Sequence, residues 1–595
     1  MSKNCNERHG NVLSPPDLSK LSIERLGKYE KVKSAIEHAW SGYNVGVLKK
    51  HSYMKTFLGI LPPDDLAPLS SMSSSPDKSE NKNGITWLHS AATLYDSLDT
   101  LYIAGLMEEY EEAKLLVLSL PLPIWPTKTF EYSIRVLGGL LGGFAVSGDV
   151  ELLANAKGVA NAMIDGPFRS SPTSLPRKYD VLAPTFSNNM IHWGGILVHR
   201  TYALIYRRIR DKMKEHTTNS LAGVGSFTLE FTYLSHLLNN PTYKQHSDAI
   251  FQHVNSKTGV VPMLWNVMNG HATGDYHSLG SGSDSYYEYL GKLPILLQLH
   301  KKQAIDINNN DNKVDLEMAQ SYTNAIENLL FSPNKQRRIW NNEGTKQIVL
   351  LMESSYDNTY HHLLCYVPGV LALNSQYYDK NNIQQEQQQK IMASAQRMLD
   401  GCWETYNQTT TGLGPESMQI SSDMINNIID SGYYLRPEFV ESVFILYRLT
   451  GDQRYQDMAW NVFQAIERHC KRELGYVGLK DVNKLGNDDN TYLVDEMPSF
   501  FIAETLKYLL LTFAPDDYVS LDEFVFTTEA HPLRRLDLEN SKCLESTLLS
   551  SSSAHQPVAP IFTFGSNLVI FLVLLKLFYF LRKRRNKLYT NKKQR

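Results

Sequence analysis

Between residue 21 and about residue 515, apolar side chains recur at three- and four-residue steps, the spacing of one face of an α-helix. The pattern is clearest in ATLYDSLDTLYIAGLMEEYEEAKLLV (92–117), FEYSIRVLGGLLGGFAVSGD (130–149), FTLEFTYLSHLLNN (227–240) and MPSFFIAETLKYLLLTF (497–513). Strand-like alternation is scarce, so the body is expected to be all-α. Many helices in one run, without a short fixed repeat, predict helical hairpins arranged as a toroid or solenoid. Four polar stretches interrupt the periodicity and read as loops: the Ser- and Lys-rich 70–84, 165–180 with its prolines and serines, the Asn-rich 306–315 and the Gln-rich 381–390.

One periodic stretch, SGYYLRPEFVESVFILYRLTGD (431–452), starts with unusual chemistry. Val440, Val443, Phe444, Tyr447 and Leu449 supply an apolar face, Pro437 suits the first helical position, and Gly451 lies near the end. Glu438 and Glu441 share a helix face at the positive end of the dipole, which favours their ionised forms. An N-terminal charge preference with an Arg436–Glu pair accounts for this stretch as well as a functional pair does. The rest of the chain has to decide.

At the C-terminal end the pattern changes. Ile561 to Leu581 is predominantly apolar with Lys576 its one charge, long enough to span a bilayer, and followed at once by RKRR. This predicts a transmembrane helix at 561–581 and, by the positive-inside rule, a cytosolic basic tail at 582–595 and a lumenal body. Residues 1–20 read as a flexible leader without the apolar segment of a signal peptide, and 536–560, with its SSSS run and prolines, as a stalk. The chain ends KKQR, resembling the dilysine signal by which coat proteins return membrane proteins to the endoplasmic reticulum. The expected location is therefore the membrane of the endoplasmic reticulum or early Golgi.

Charge changes the picture only in one respect. The net charge over 595 residues is −3, yet the tail from Arg582 holds eight basic residues and no acidic ones. The body is thus mildly acidic, which argues against nucleic acid as a main partner. Five cysteines are too few for a disulfide scaffold; Cys365 and Cys402 could be bridged in an oxidising lumen or be two buried thiols. Asn407-Gln-Thr409 is a glycosylation sequon.

The sequence holds no HExxH, paired CxxC, GxxxxGK or GxSxG motif, and the doublet His361-His362 lacks metal-ligand spacing and reads as core or loop. What remains is a set of carboxylates embedded in apolar, aromatic-rich helix ends: Glu131, Glu230, Asp284, Glu438, Glu441, Glu504 and Glu529. Their spread over all the helical segments points to convergence on one centre.

The stretches FEYSIRVLGGLL, SDSYYEYLGK, YYLRPEFVESVFILYRLTGD, SFFIAETLKYL and TTEAHPL together resemble class I α-1,2-mannosidases, glycoside hydrolase family 47. The resemblance runs from about residue 25 to about 533 and includes TLYDSLDTLYIAGL and the Cys365/Cys402 pair in LLCYVPG and CWETY. It implies an (αα)7 barrel, placed at residues 21–535, an inverting mechanism on the α-1,2-mannose of high-mannose N-glycans, and one calcium ion. By this resemblance Glu131 is the general acid, Glu438 the base that activates water, and Asp284 a third acid at the reaction centre. Thr528 is the calcium ligand, through its hydroxyl and carbonyl oxygens, and Arg135, Glu230, Arg436, Glu441, Phe500, Glu504 and Glu529 line the sugar and the calcium-bound waters.

Elementary chemistry agrees for Glu438, whose helix N-terminus and neighbouring Arg436 favour the ionised base. It strains at Glu131, because Arg135 one turn on would lower the pKa of a general acid. Either Arg135 is engaged elsewhere, by substrate or another acid, or the proton arrives through a water. Two departures stand out: LGSGS precedes Asp284 where members of the endoplasmic reticulum carry an arginine, and Gly291 stands where the family usually has leucine. The expected activity is exo-acting trimming of mannose. The alternative is a mannose-binding factor that delivers misfolded glycoproteins for degradation with little turnover.

Overall fold

The helical periodicity becomes helices with identifiable ends in the computed structural model. It describes residues 12–51, 61–72, 84–123, 127–169, 171–180, 182, 217–299, 310–330, 336–340, 347–352, 358–376, 382–420, 425–485 and 490–536. Side-chain oxygens of Ser22, Asp149 and Asp452 cap Ile23–Gly46, Val150–Met163 and Gln453–His469 by accepting from backbone N–H groups in the first turn. Gly148 and Gly451 end Gly138–Ser147 and Glu438–Thr450 in the left-handed conformation, φ 70° in both.

Helices that follow one another pack as hairpins. Gly138–Ser147 lies on Val150–Met163, Thr228–Leu237 on Thr242–Val254, Val367–Ser375 on Asn382–Asn407, and Glu438–Thr450 on Gln453–His469. The first member of each hairpin is buried on nearly every side, as in Phe439–Tyr447, whereas the second keeps a solvent face. The buried helices touch in turn: Gly138–Ser147 meets Thr228–Leu237, which meets Asp284–Leu296, then Val367–Ser375, Glu438–Thr450 and Lys507–Phe513. Ile23–Gly46 packs on Lys507–Phe513, so the two ends of the body meet. This is an inner layer of helices wrapped by an outer one.

Strands are more numerous than the sequence pattern suggests, because pieces of two to six residues are too short for alternation to register. Thr359–His361, Ser417–Ile420 and Ile425–Asp430 form an antiparallel sheet in that order, with Tyr360 opposite Met418 and His361 opposite Ser417. The Gln-rich stretch 381–390, expected as a loop, is the start of helix Asn382–Asn407, and helix Asn310–Ala325 begins inside the Asn-rich 306–315. Glutamine and glutamate are good helix formers, and low complexity hid that propensity.

The expected 561–581 membrane span, the stalk from 537, the basic tail and KKQR lie outside the described residues, as do residues 1–11 of the leader. Among the described residues no helix is long and apolar enough to cross a membrane. Of the leader, Leu13 N–H donates to Val146 O at 2.8 Å and Lys20 pairs with Asp517.

The GGLLGG run (138–143) has a specific structural cause. His531 is fully buried against it, and its Nδ1 lies 2.6 Å from Asp99 Oδ2. A Cβ on Gly142 would stand 2.4 Å from that carboxylate oxygen and 2.9 Å from His531 Cβ. Lys507 also binds Asp99, and its Nζ donates to Ala530 O at 2.7 Å. Gly142→Ala should therefore destabilise the body by about 1–3 kcal/mol, read as a lower thermal midpoint. An unchanged midpoint would show that the histidine does not need the space.

Candidate active site

Two of the acid-bearing helices begin with π-helical turns, an irregularity that re-aims side chains and is frequent at functional sites. Tyr132–Leu137 follows Glu131 and carries Arg135, and Phe501–Leu506 carries Glu504. Asp284 and Glu438 each open a helix, Asp284–Leu296 and Glu438–Thr450. Thr528 sits in the turn between the paired strands Phe524–Phe526 and Pro532–Arg534. These elements surround one cavity of about 440 Å³ lined by Glu131, Arg135, Asp284, Arg436, Glu438, Glu441, Phe500, Glu504, Thr528 and Glu529. Of the residues the sequence singled out for the centre, Glu230 does not line it; it lies fully buried, accepting from Tyr289 O–H at 2.6 Å. A second recess of about 370 Å³ shares Glu131, Arg135, Arg436 and Phe500 and adds Trp87, Tyr434 and Glu496.

The arginine that troubled the sequence argument is shared. Arg135 Nε donates to Glu131 at 3.0 Å, while its NH1 serves Asp96 at 3.1 Å, Ser499 Oγ at 2.9 Å and Glu529. Of the alternatives the sequence left open, engagement by other acids is the one observed. Arg436 is likewise spent on another carboxylate: its guanidinium grips Glu416 in a two-pronged pair.

The partner that Glu438 does have was read as core or loop. His362 Nδ1 lies 2.7 Å from Glu438 Oε2, and its Nε2 lies 2.6 Å from Tyr406 Oη. Burial pushes the Glu438 carboxyl up, but the His362 hydrogen bond, with Arg436 behind it, holds it below the usual carboxylate range. Asp284 goes the other way: burial, with Glu288 and Glu438 nearby, pushes it up to about 7 against the opposing Ser285 hydrogen bonds. Burial pushes Glu441 up to about 7 although Lys292 pulls it down, and pushes Glu230 up to about 7. Glu504 is raised well above its ordinary value by burial and by Glu529, Glu438 and Glu441. Seven carboxyl groups face the cavity, against four cations, Lys128, Arg135, Lys178 and Arg436.

Lys292, fully buried behind this wall, bridges Glu288 and Glu441, the latter at 3.2 Å. Its i,i+4 spacing to Glu288 was visible in SDSYYEYLGK, and so was the same spacing from Asp284 to Glu288. Gly291 is explained by packing alone, since a Cβ there would meet Tyr322 at 2.8 Å and Asn374 at 2.9 Å. His362 had no such signal, because its partners lie 76 and 44 residues away. Cys365 and Cys402 form a disulfide, and Cys470 is a free, buried thiol.

Two carboxylates with divergent protonation at one cavity inside a layered helical ring are the equipment of an α/α-barrel glycoside hydrolase. Comparison with known proteins agrees. Residues 35–535 match the model of Glycosyl hydrolase family 47, and the chain belongs to that family. It is 33% identical over 518 residues to a mannosyl-oligosaccharide 1,2-alpha-mannosidase of Arabidopsis thaliana, covering 85% of this chain and 78% of that one. It is 30% identical to the human endoplasmic reticulum mannosyl-oligosaccharide 1,2-alpha-mannosidase, covering 83% and 62%. The solved alpha-1,2-mannosidase of Trichoderma reesei, at 21% identity, shares the fold with a TM-score of 0.65 over 88% of this chain and all of that one.

Lys292→Met should leave Glu288 and Glu441 buried without a cation, at a cost of about 3–5 kcal/mol. The pH dependence has a definite sign. A carboxyl raised to about 7 binds its proton more tightly folded than unfolded, so it favours folding at low pH and loses that contribution as pH rises from about 4.5 to about 7. Removing the lysine extends this window upward. The drop in thermal midpoint should be larger at about pH 8 than at about pH 5; equal drops would sink the assignment.

Proposed function

We propose that this chain is an inverting, exo-acting α-1,2-mannosidase that trims high-mannose N-glycans. The observation that carries it is the convergence of Glu131, Asp284 and Glu438 on one cavity, with Glu438 held ionised and Asp284 raised to about 7. Glu438 takes the proton of the attacking water, and Glu131 serves the departing glycosidic oxygen as acid. Asp284 lies beside the base. Arg135, divided among Glu131, Asp96 and Glu529, orients the acid without belonging to it alone. Phe500 offers an apolar face to the ring, and Arg436, Glu441, Glu504 and Glu529 take hydroxyl groups. The ring of buried helices and their outer partners is read as an (αα)7 barrel.

The donor set suits calcium. Among the described residues neither the hydroxyl nor the carbonyl of Thr528 has a hydrogen-bond partner, and Glu230 Oε2 is buried and unpaired. No three carboxylate, histidine or cysteine groups gather into a ligand cluster among the described residues, so Thr528 would supply the direct oxygens and the carboxylates would hold water. When bound, calcium provides a hard cation for sugar hydroxyl oxygens and offsets the crowded carboxylates. Ser281 and Gly282 line the cavity ahead of Asp284, where small residues leave room for more than one glycan branch.

The body is placed in the lumen of the endoplasmic reticulum or early Golgi, anchored by 561–581, with KKQR exposed to coat proteins. The Cys365–Cys402 disulfide suits that oxidising compartment.

Glycan profiling of a high-mannose oligosaccharide incubated with the protein should show loss of α-1,2-mannose in calcium and none after chelation. Absence of release in calcium would favour the mannose-binding role, and release that survives chelation would remove the metal. Glu438→Gln should lower turnover by about 10²-fold or more while sugar binding persists; a retained rate would remove it as the base. In sealed microsomes the body should resist protease until detergent is added, and digestion without detergent would overturn the lumenal placement.

A further inference from the structure

The base is connected to a residue that no chemistry has yet used. Tyr406, in helix Asn382–Asn407, is fully buried, its ring stacked on Phe439 at 4.5 Å and packed so closely on Gly414 that a Cβ there would stand 2.4 Å away. Its hydroxyl lies 2.6 Å from His362 Nε2 and has no other hydrogen-bond partner among the described residues. On the far side of the imidazole, Nδ1 faces Glu438 Oε2. A carboxylate can only accept, so Nδ1 carries a hydrogen. The phenol keeps its proton, because burial raises it far above its ordinary range. If Nε2 were also protonated, it would occupy Tyr406 Oη as a donor, and the phenolic O–H would be left buried without an acceptor.

We propose that Tyr406 is a positioning residue for the reaction: its O–H donates to His362 Nε2 and holds the imidazole neutral, with the remaining proton on Nδ1 directed at Glu438. This rests on Glu438 being the base. A neutral donor fixes one carboxylate oxygen in place and leaves the other for water. An imidazolium would fix it equally well but would draw down its basicity. Other titratable and charged groups around the pair are Tyr360 on the strand that precedes His362, Glu416 beside the neighbouring strand, Tyr433 and Arg436 before the base, and Asp284. Glu416 is already neutralised by Arg436.

The test uses the full-length protein and α-1,2-linked mannose release. Tyr406→Phe keeps the ring and removes the donor. It should lower kcat by about tenfold or more with KM nearly unchanged, and move the acidic limb of the kcat profile by about half a pH unit or more. Unchanged kcat and limb, or a change in KM alone, would overturn the proposal. If that variant fails to fold, His362 provides the second comparison. In His362→Gln the amide can donate to Glu438 and accept from Tyr406, reproducing the neutral polarity that His362→Leu abolishes. The glutamine variant should turn over about tenfold or more faster than the leucine variant, and equal loss would overturn the proposal. Full turnover in Glu438→Gln would mean that the base itself is misassigned. Loss there, with Tyr406→Phe indistinguishable from the parent, would reject only the role of Tyr406.

Discussion

Crowding of carboxylates around one buried cavity is the constraint on which the rest of this molecule depends. Seven carboxyl groups face one cavity, and every one buried without a partner costs several kcal/mol if it stays charged. The chain meets that constraint with cations both in the wall and behind it. Arg135 binds Glu131, Asp96 and Glu529 at once, and Lys292 bridges Glu288 and Glu441. Beneath them, His531 and Lys507 both hold Asp99, and His531 Nε2 lies 3.5 Å from Asp96. The turn that carries Thr528 is thereby tied through buried charge to the helix that carries Arg135. What these cations leave uncompensated appears as raised carboxyl groups at Asp284, Glu230, Glu441 and Glu504.

The side of the cavity that holds the base is built differently, by covalent and neutral contacts. Cys365, three residues after His362, is joined to Cys402, one helical turn before Tyr406. The disulfide therefore staples the His362 turn onto the Tyr406 helix. Ser442, one turn after Glu438 on the same helix face, donates to Cys365 O and accepts from Gly369 N–H at 2.9 Å. Three helices are thus referenced to the few residues that hold Glu438. Rigid support of this kind is what keeps a reacting carboxylate within the narrow geometry that catalysis needs.

Much of the architecture was legible because helical periodicity is a local property. The hairpins and the stop at Gly451 follow from residues within a turn of one another, whereas the caps at Ser22, Asp149 and Asp452 were identified only in the structure. The Gln-rich start of Asn382–Asn407 was misread because composition was weighed above propensity. At the site, the acids announced themselves by being carboxylates in apolar company, and ten of the eleven assigned residues line the cavity. Glu230 does not, since a hydrogen bond to Tyr289 takes it into the wall. Short strands stayed hidden for lack of length.

By itself the sequence determined a helical body and a set of acids lying in stretches that resemble glycoside hydrolase family 47, the family whose model residues 35–535 match. It also placed Glu438 and Glu441 at the start of a helix, where the dipole favours charge; Glu438 meets that expectation, whereas burial outweighs it at Glu441 and raises the carboxyl to about 7. Only the tertiary structure decided which partner each acid receives. Arg436, adjacent in sequence to Pro437 and Glu438, is committed to Glu416, while His362, distant in sequence, sets the state of the base. The physical reason is that hydrogen bonds and ion pairs depend on distance in space, and in a closed helical ring the nearest groups come from remote helices.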